Sequence, residues 1–281
     1  MSQPRERDFA QVDVFSHTPY LGNPVAVVLD AEGLTEDAMA TFARWTNLSE
    51  TTFVLPSTTP DSDYRLRIFT PGGELPFAGH PTLGSAHAWL ESGRAPRNAG
   101  VIVQECAAGL IDIRTTPTGL AFAAPPTVRN GDLDDALLSR IATALHIGRN
   151  SIISHQWVDN GPGWAAIRLA TADEVLALEP DLTEIPDLML GVVGASGTAG
   201  QDFEVRAFAP AIGVSEDPVT GSLNASIAQW LIRTDQAPTT YTAAQGRRVG
   251  RSGVIEISSG PNGELWVGGA STSCIRGTVR L

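Results

Sequence analysis

The chain of 281 residues repeats itself, and that repetition limits its folds more than any other feature does. Arg67-Ile-Phe69-Thr-Pro71 returns as Arg206-Ala-Phe208-Ala-Pro210. Gly84-Ser85-Ala-His-Ala-Trp89-Leu90 returns as Ala225-Ser226-Ile-Ala-Gln-Trp230-Leu231, and Gln104 returns as Gln245. Gly109-Leu-Ile-Asp-Ile113 matches Gly253-Val-Ile-Glu-Ile257, and Pro117, Gly119 and Phe122 match Pro261, Gly263 and Trp266. The order is kept and the offset drifts only from 139 to 144, so the chain holds two copies of one unit separated by small insertions. Ahead of these matches the halves agree in pattern: a strand at 25–29 before a helix at 35–45, and a strand at 164–169 before a helix at 171–178. Two similar domains are therefore expected over 1–125 and 126–281, with Pro125-Pro126 at the boundary. The sequence leaves open whether the extreme C-terminus crosses back to the first domain.

Most of each half reads as strand. Tyr64-Arg-Leu-Arg-Ile-Phe69 alternates apolar and polar residues, and the 28 glycines and 19 prolines suit the turns of a largely antiparallel sheet. Each half also has one helix without two distinct faces, over 80–91 and over 218–232. Small residues (Gly84, Ser85, Ala86; Ser222, Ala225, Ser226) interleave with Leu83, Leu223 and Ile227, the pattern of a helix buried all round. A curved sheet wrapped about a central helix, built twice, is the simplest α+β architecture.

Several functions are excluded. All 19 basic residues are arginine, so there is no lysine for a phosphate-binding Gly-Lys loop, a Schiff base or pyridoxal phosphate. A net charge of −12 argues against a nucleic-acid partner. No apolar run is long enough for a membrane span, and residues 1–8 lack the apolar stretch of a signal peptide. Cys106 and Cys274 are too few and too far apart for a disulfide framework or a metal cluster. The expected location is the cytoplasm.

Candidate chemistry gathers at the two matched helix starts. Gly79-His80 precedes Pro81, and Asp217 precedes Pro218; proline favours the first helical position, where backbone N–H groups and a partial positive charge can receive a carboxylate. Read singly, Asp217 is a helix cap, Gly79 a turn and His80 a hydrogen-bonded core residue; polar groups at both matched helix starts put a functional reading on an equal footing with these. Glu50, in Asn47-Leu-Ser49-Glu50-Thr, falls where a helix gives way to a strand. Spacing alone reads it as a solvated junction residue; partial burial there would instead raise its basicity toward what acid–base catalysis needs. Glu74 and Glu216 are weaker candidates, as are Trp157, Trp164 and Tyr20 as pocket walls.

These motifs resemble the PhzF-like (phenazine-biosynthesis-like) family. The resemblance is carried by Val12-Asp13-Val14-Phe15 with Gly22-Asn23-Pro24, by Asn47-Leu-Ser49-Glu50-Thr, by Pro76-Phe-Ala-Gly79-His80-Pro-Thr, and by Glu216-Asp217-Pro-Val-Thr-Gly221-Ser222. It implies a diaminopimelate-epimerase-like fold of two pseudo-symmetric β-barrel-like halves, an active site in the cleft between them, chemistry without a cofactor, and often a homodimer. It further implies that Glu50, His80 and Asp217 are catalytic, with Ser49, Gly79, Gly221, Ser222 and Asn23 binding a small carboxylate-bearing substrate. Epimerases of this fold use a cysteine at each helix start, and here neither start has one. The expected reaction is therefore a proton shift by one carboxylate, Glu50. A two-base epimerase or racemase, and a non-catalytic small-ligand binder on the same fold, are the alternatives.

Overall fold

The computed structural model describes residues 4–260 and 262–281; Pro261, the repeat partner of Pro117, and the first three residues lie outside them. The chain divides into two units, Met1–Ala123 with Gly268–Leu281, and Ala124–Val267.

In the first unit, β1 (Glu6–Val14) and β2 (Asn23–Val28) form an antiparallel pair. Helix α1 (Glu36–Thr46) crosses to β3 (Glu50–Leu55), which runs parallel to β2. β4 (Tyr64–Thr70) is antiparallel to β3 and to the short β5 (Gly73–Leu75). After helix α2 (Gly79–Glu91), β6 (Val101–Cys106) lies parallel to β4 and antiparallel to β7 (Gly109–Thr115), which pairs with β8 (Leu120–Ala123). In β4 the alternation is realised: Tyr64, Leu66 and Ile68 are buried while Arg65 and Arg67 face outward.

The second unit opens with α3 (Asp135–Ala144) and then repeats the scheme. β9 (Ser154–Trp157) is antiparallel to β10 (Trp164–Thr171); α4 (Ala172–Ala177) crosses to β11 (Met189–Ala195), parallel to β10. β12 (Phe203–Ala209) is antiparallel to β11 and to β13 (Val214–Asp217). After α5 (Gly221–Arg233), β14 (Thr240–Gln245) runs parallel to β12 and antiparallel to β15 (Gly253–Ser259). The series of parallel and antiparallel pairings from β1 to β7 is thus copied from β9 to β15. β16 (Leu265–Gly269) leads to β17 (Ser271–Arg280), which pairs along the whole of β1. That pairing settles the point the sequence left open: the C-terminal strand belongs to the first unit, on the edge of its first strand.

The central helices are buried as the composition requires. In α2 every residue from Gly79 to Ala86 is buried, and in α5 most of the chain from Gly221 to Leu231 is. Close approach is the reason for the glycines. A Cβ on Gly84 would lie 2.4 Å from Val25 Cγ1 and 3.0 Å from Val14 Cγ2, so α2 rests directly on β1 and β2. In the second unit the glycine is on the sheet, where a Cβ on Gly191 would lie 2.5 Å from Leu223 Cδ1 of α5. The outer helix α1 is conventional by contrast. Thr35 caps it by accepting from the Ala38 N–H, and Met39, Phe42 and Ala43 bury one face against Phe53 and Val28. Burying such a side chain contributes roughly 1.5–3 kcal/mol.

Both helix starts differ from the sequence expectation. Asp217 is the last residue of β13, not a helix cap, and α5 starts at Gly221 with Thr220 as its N-cap, three residues later than expected. The physical reason is Pro218, which holds the preceding residue in extended backbone and so prolongs the strand through Asp217. α2 starts at Gly79 behind Ala78, placing Pro81 third, where its missing N–H costs no hydrogen bond.

Candidate active site

In the first unit, three of the sequence-derived residues converge. Helix α1 ends at Asn47, whose left-handed backbone (φ 54°) returns its N–H to the Ala43 carbonyl and turns the chain sharply. Ser49, half-buried in that turn, leads straight into Glu50, the first residue of β3. Parallel pairing sets Glu50 beside Val25, two residues beyond Asn23. Hydroxyl contacts hold this end of β3: Thr51 Oγ1 lies 2.8 Å from Thr46 Oγ1, and Thr52 Oγ1 lies 2.8 Å from Ser85 Oγ of α2.

Glu50 Oε2 lies 3.2 Å from His80 Nε2, the second residue of α2. His80 is 5 % exposed, and burial pushes its pKa down from 6.5 to about 3, the Pro24 carbonyl opposing the shift. Its imidazole is therefore neutral, and Glu50 faces a polarisable ring rather than a cation. Asn23 is fully buried, with Nδ2 3.4 Å from His80 Nδ1, so in this structure it supports the ring. Gly79 is the buried residue just before it.

In the second unit the corresponding helix start has its own polar group. Asp217 Oδ2 accepts a hydrogen bond of 2.5 Å from Thr220 Oγ1. Ser222 accepts from the Trp164 indole N–H through Oγ (3.1 Å), and its carbonyl accepts from Asn160 Nδ2 (3.1 Å). Trp164, considered as a pocket wall, is 2 % exposed and serves as the anchor of that serine. Gly221, also buried, opens the helix. Neither N-cap makes a side-chain hydrogen bond to its helix's first N–H groups.

Two features went unread in the sequence although the duplication marked them. The repeated glutamines are buried clamps on the central helices. Gln104 Nε2 donates to Thr82 Oγ1 (3.0 Å) while its Oε1 accepts from Tyr64 (3.1 Å). Gln245 is fully buried and bonds Asp217, Thr220 and Asn224. The repeated arginines each hold a glutamate in a two-pronged pair. Arg67 meets Glu74 at 2.7 and 2.5 Å, and Arg206 meets Glu216 at 3.0 and 2.7 Å. Glu74 is held below its ordinary pKa by that hydrogen bond, the opposite of what a general base needs.

Neither thiol is poised as a base. Burial raises the pKa of both Cys106, at the end of β6, and Cys274, in the irregular stretch where β17 slips register against β1. Glu204 on β12 carried no sequence signal. It is 1 % exposed, and burial lifts it to about 7 despite Arg247 at 3.5 Å.

A duplicated α+β chain with this strand order and a buried helix in each unit has the diaminopimelate-epimerase-like fold. Comparison with known proteins narrows it. A family model described as phenazine biosynthesis-like protein matches residues 12–275, and the chain belongs to that family. It is 38% identical over 292 residues to the protein named antisense-enhancing sequence 1 of Schizosaccharomyces pombe, covering 97% of this chain and 98% of that one. It is 35% identical over 264 residues to the trans-2,3-dihydro-3-hydroxyanthranilate isomerase of Pseudomonas aeruginosa, covering 86% and 87%. The crystal structure of a PhzF-family phenazine biosynthesis protein from Enterococcus faecalis matches with a TM-score of 0.82 at 24% identity, covering 99% of this chain and 100% of that one. Among the described residues no helix is long and apolar enough to cross a membrane.

Proposed function

We propose that this chain is an isomerase that moves a proton between two carbons of a small carboxylate-bearing substrate by acid–base chemistry of its own side chains. The observation that carries the reading is the Glu50–His80 pair, 3.2 Å apart, with the imidazole kept neutral by burial. A carboxylate next to an imidazolium would be a weakened base; next to a neutral ring it keeps its basicity. Glu50 takes a C–H proton as general base, the electron pair moves into the adjoining π-system, and the same carboxyl returns a proton to a different carbon. His80 orients Glu50 and stabilises the form that carries the proton. The substrate carboxylate is assigned to helix-start N–H groups around Gly79-His80 or Gly221-Ser222, with Asp217 as an orienting group, on their place in the family motifs.

The relatives named as isomerases supply the compound to try first. Trans-2,3-dihydro-3-hydroxyanthranilate in D₂O, followed by NMR with wild type and Glu50→Gln in parallel, tests reaction class and base together. Turnover by wild type and a loss of roughly 10²–10⁴-fold in the variant supports the assignment. Equal rates in the two proteins remove Glu50 from the role. Deuterium entering a single stereocentre with inversion converts the reading to an epimerase.

A further inference from the structure

The hydrogen bonds around Gln245 have one consistent set of directions. The backbone N–H of Thr220 can only donate, and it points at Gln245 Oε1 (3.0 Å). The amide of Gln245 is thereby fixed, with Nε2 toward the Asp217 carbonyl (3.0 Å) and Thr220 Oγ1 (2.9 Å). Asn224 closes the group, giving Nδ2 to the Thr220 carbonyl (2.9 Å) and to Gln245 Oε1 (2.8 Å). Since Nε2 can only donate, Thr220 Oγ1 must accept from it. The single hydroxyl proton of Thr220 is then committed to Asp217 Oδ2, 2.5 Å away.

Thr220 is the N-cap of α5, a position where threonine ordinarily caps with its own side chain, and here it does not. That capping bond is forgone in favour of the carboxylate. The matched helix start in the first unit has Ala78, without a hydroxyl, at its N-cap, and its glutamine, Gln104, bonds Thr82 and Tyr64 instead.

We infer that Thr220 is a positioning residue, aimed by Gln245, that holds Asp217 as an oriented hydrogen-bond-accepting carboxylate, so that Asp217 orients the substrate and leaves proton transfer to Glu50. The inference rests on the proposed reaction only for the use of Asp217; the fixing of its carboxylate stands on the hydrogen bonds alone. A donor aimed at the anionic form favours that form, and a chain of aligned bonds strengthens each member.

The test compares Thr220→Val, Thr220→Ser and Asp217→Asn in the full chain by melting temperature, by turnover of trans-2,3-dihydro-3-hydroxyanthranilate, and by a crystal structure of Thr220→Val. Thr220→Val should melt near wild type yet lose roughly tenfold to a hundredfold in kcat/KM, the worth of one hydrogen bond to a charged group. Thr220→Ser, which keeps the hydroxyl, should restore turnover, and the crystal should show the Asp217 carboxylate turned from its place. A Thr220→Val enzyme as active as wild type, beside an impaired Asp217→Asn, overturns the inference and leaves the reaction standing. An unmoved Asp217 in the Thr220→Val crystal overturns it whether or not the compound is a substrate. A fully active Asp217→Asn removes Asp217 from the reaction itself, a failure of the proposed function that the crystal arm keeps separate.

Discussion

Glu50 and His80 are brought to 3.2 Å by two elements with different jobs: a strand that begins at the glutamate and a buried helix whose second residue is the histidine. The strand's start is set by a left-handed turn at Asn47, and the helix is pinned to the sheet at Gly84. The pair is consequently a product of rigid parts, and its behaviour can be tested apart from turnover.

His80 should stay neutral in the folded protein from its ordinary value of 6.5 down to about 3. Its folded pKa lies below its unfolded one, so in that window the unfolded chain binds more protons and stability falls as the solution is acidified. Histidine ¹⁵N chemical shifts, with the His80 resonance assigned by His80→Gln, should show that ring still neutral well below its ordinary value of 6.5. A His80 midpoint near 6.5 would contradict the burial argument. His80→Gln should also flatten the acid side of the stability curve.

Glu204 has the opposite sign. Its folded pKa is raised from 4.5 to about 7, so its contribution is present below the lower value and is lost as pH rises through the upper one. Glu204→Gln should therefore gain stability relative to wild type as the solution moves from acid to neutral. Denaturant midpoints measured at both ends of that window decide it, and a constant difference between the proteins would exclude a titrating Glu204.

The two arginine–glutamate forks should differ in strength. The Arg206–Glu216 side chains are 5 % and 10 % exposed, against 17 % and 32 % for Arg67–Glu74. Removing one partner of a buried pair typically costs about 3–5 kcal/mol, whereas solvent screens a more exposed pair. Glu216→Gln should thus lower the melting temperature well beyond Glu74→Gln. Equal losses would mean that the second fork is not more desolvated in solution.

Gly84→Ala tests the helix-on-sheet contact. In an exposed helix the change would stabilise by about 1 kcal/mol. Here the new methyl would meet Val25 at 2.4 Å, and overpacking of this kind costs about 1–3 kcal/mol. Thermal denaturation should show a net loss, and a gain would show that α2 can lift from β1 and β2.

The sequence by itself determined the duplication, because Arg-x-Phe-x-Pro, the helix pattern and the lone glutamine recur in one order and need no coordinates to be seen. It also determined that each unit buries a helix, since small residues on every side leave no polar face to solvate. The Glu50 junction was legible for the same local reason: a helical period ends and a strand period begins there. Only the tertiary structure decided what meets what. Glu50 and His80 stand thirty positions apart, Thr52 and Ser85 thirty-three, and β17 pairs with β1 across nearly the whole chain. Asp217 changed from helix cap to strand end because Pro218 acts on the residue before it, while the hydroxyl that holds it is aimed by a glutamine twenty-five residues beyond that hydroxyl. Periodicity is a property of neighbours along the chain. The direction of a hydrogen bond depends on which backbone groups tertiary packing has already committed.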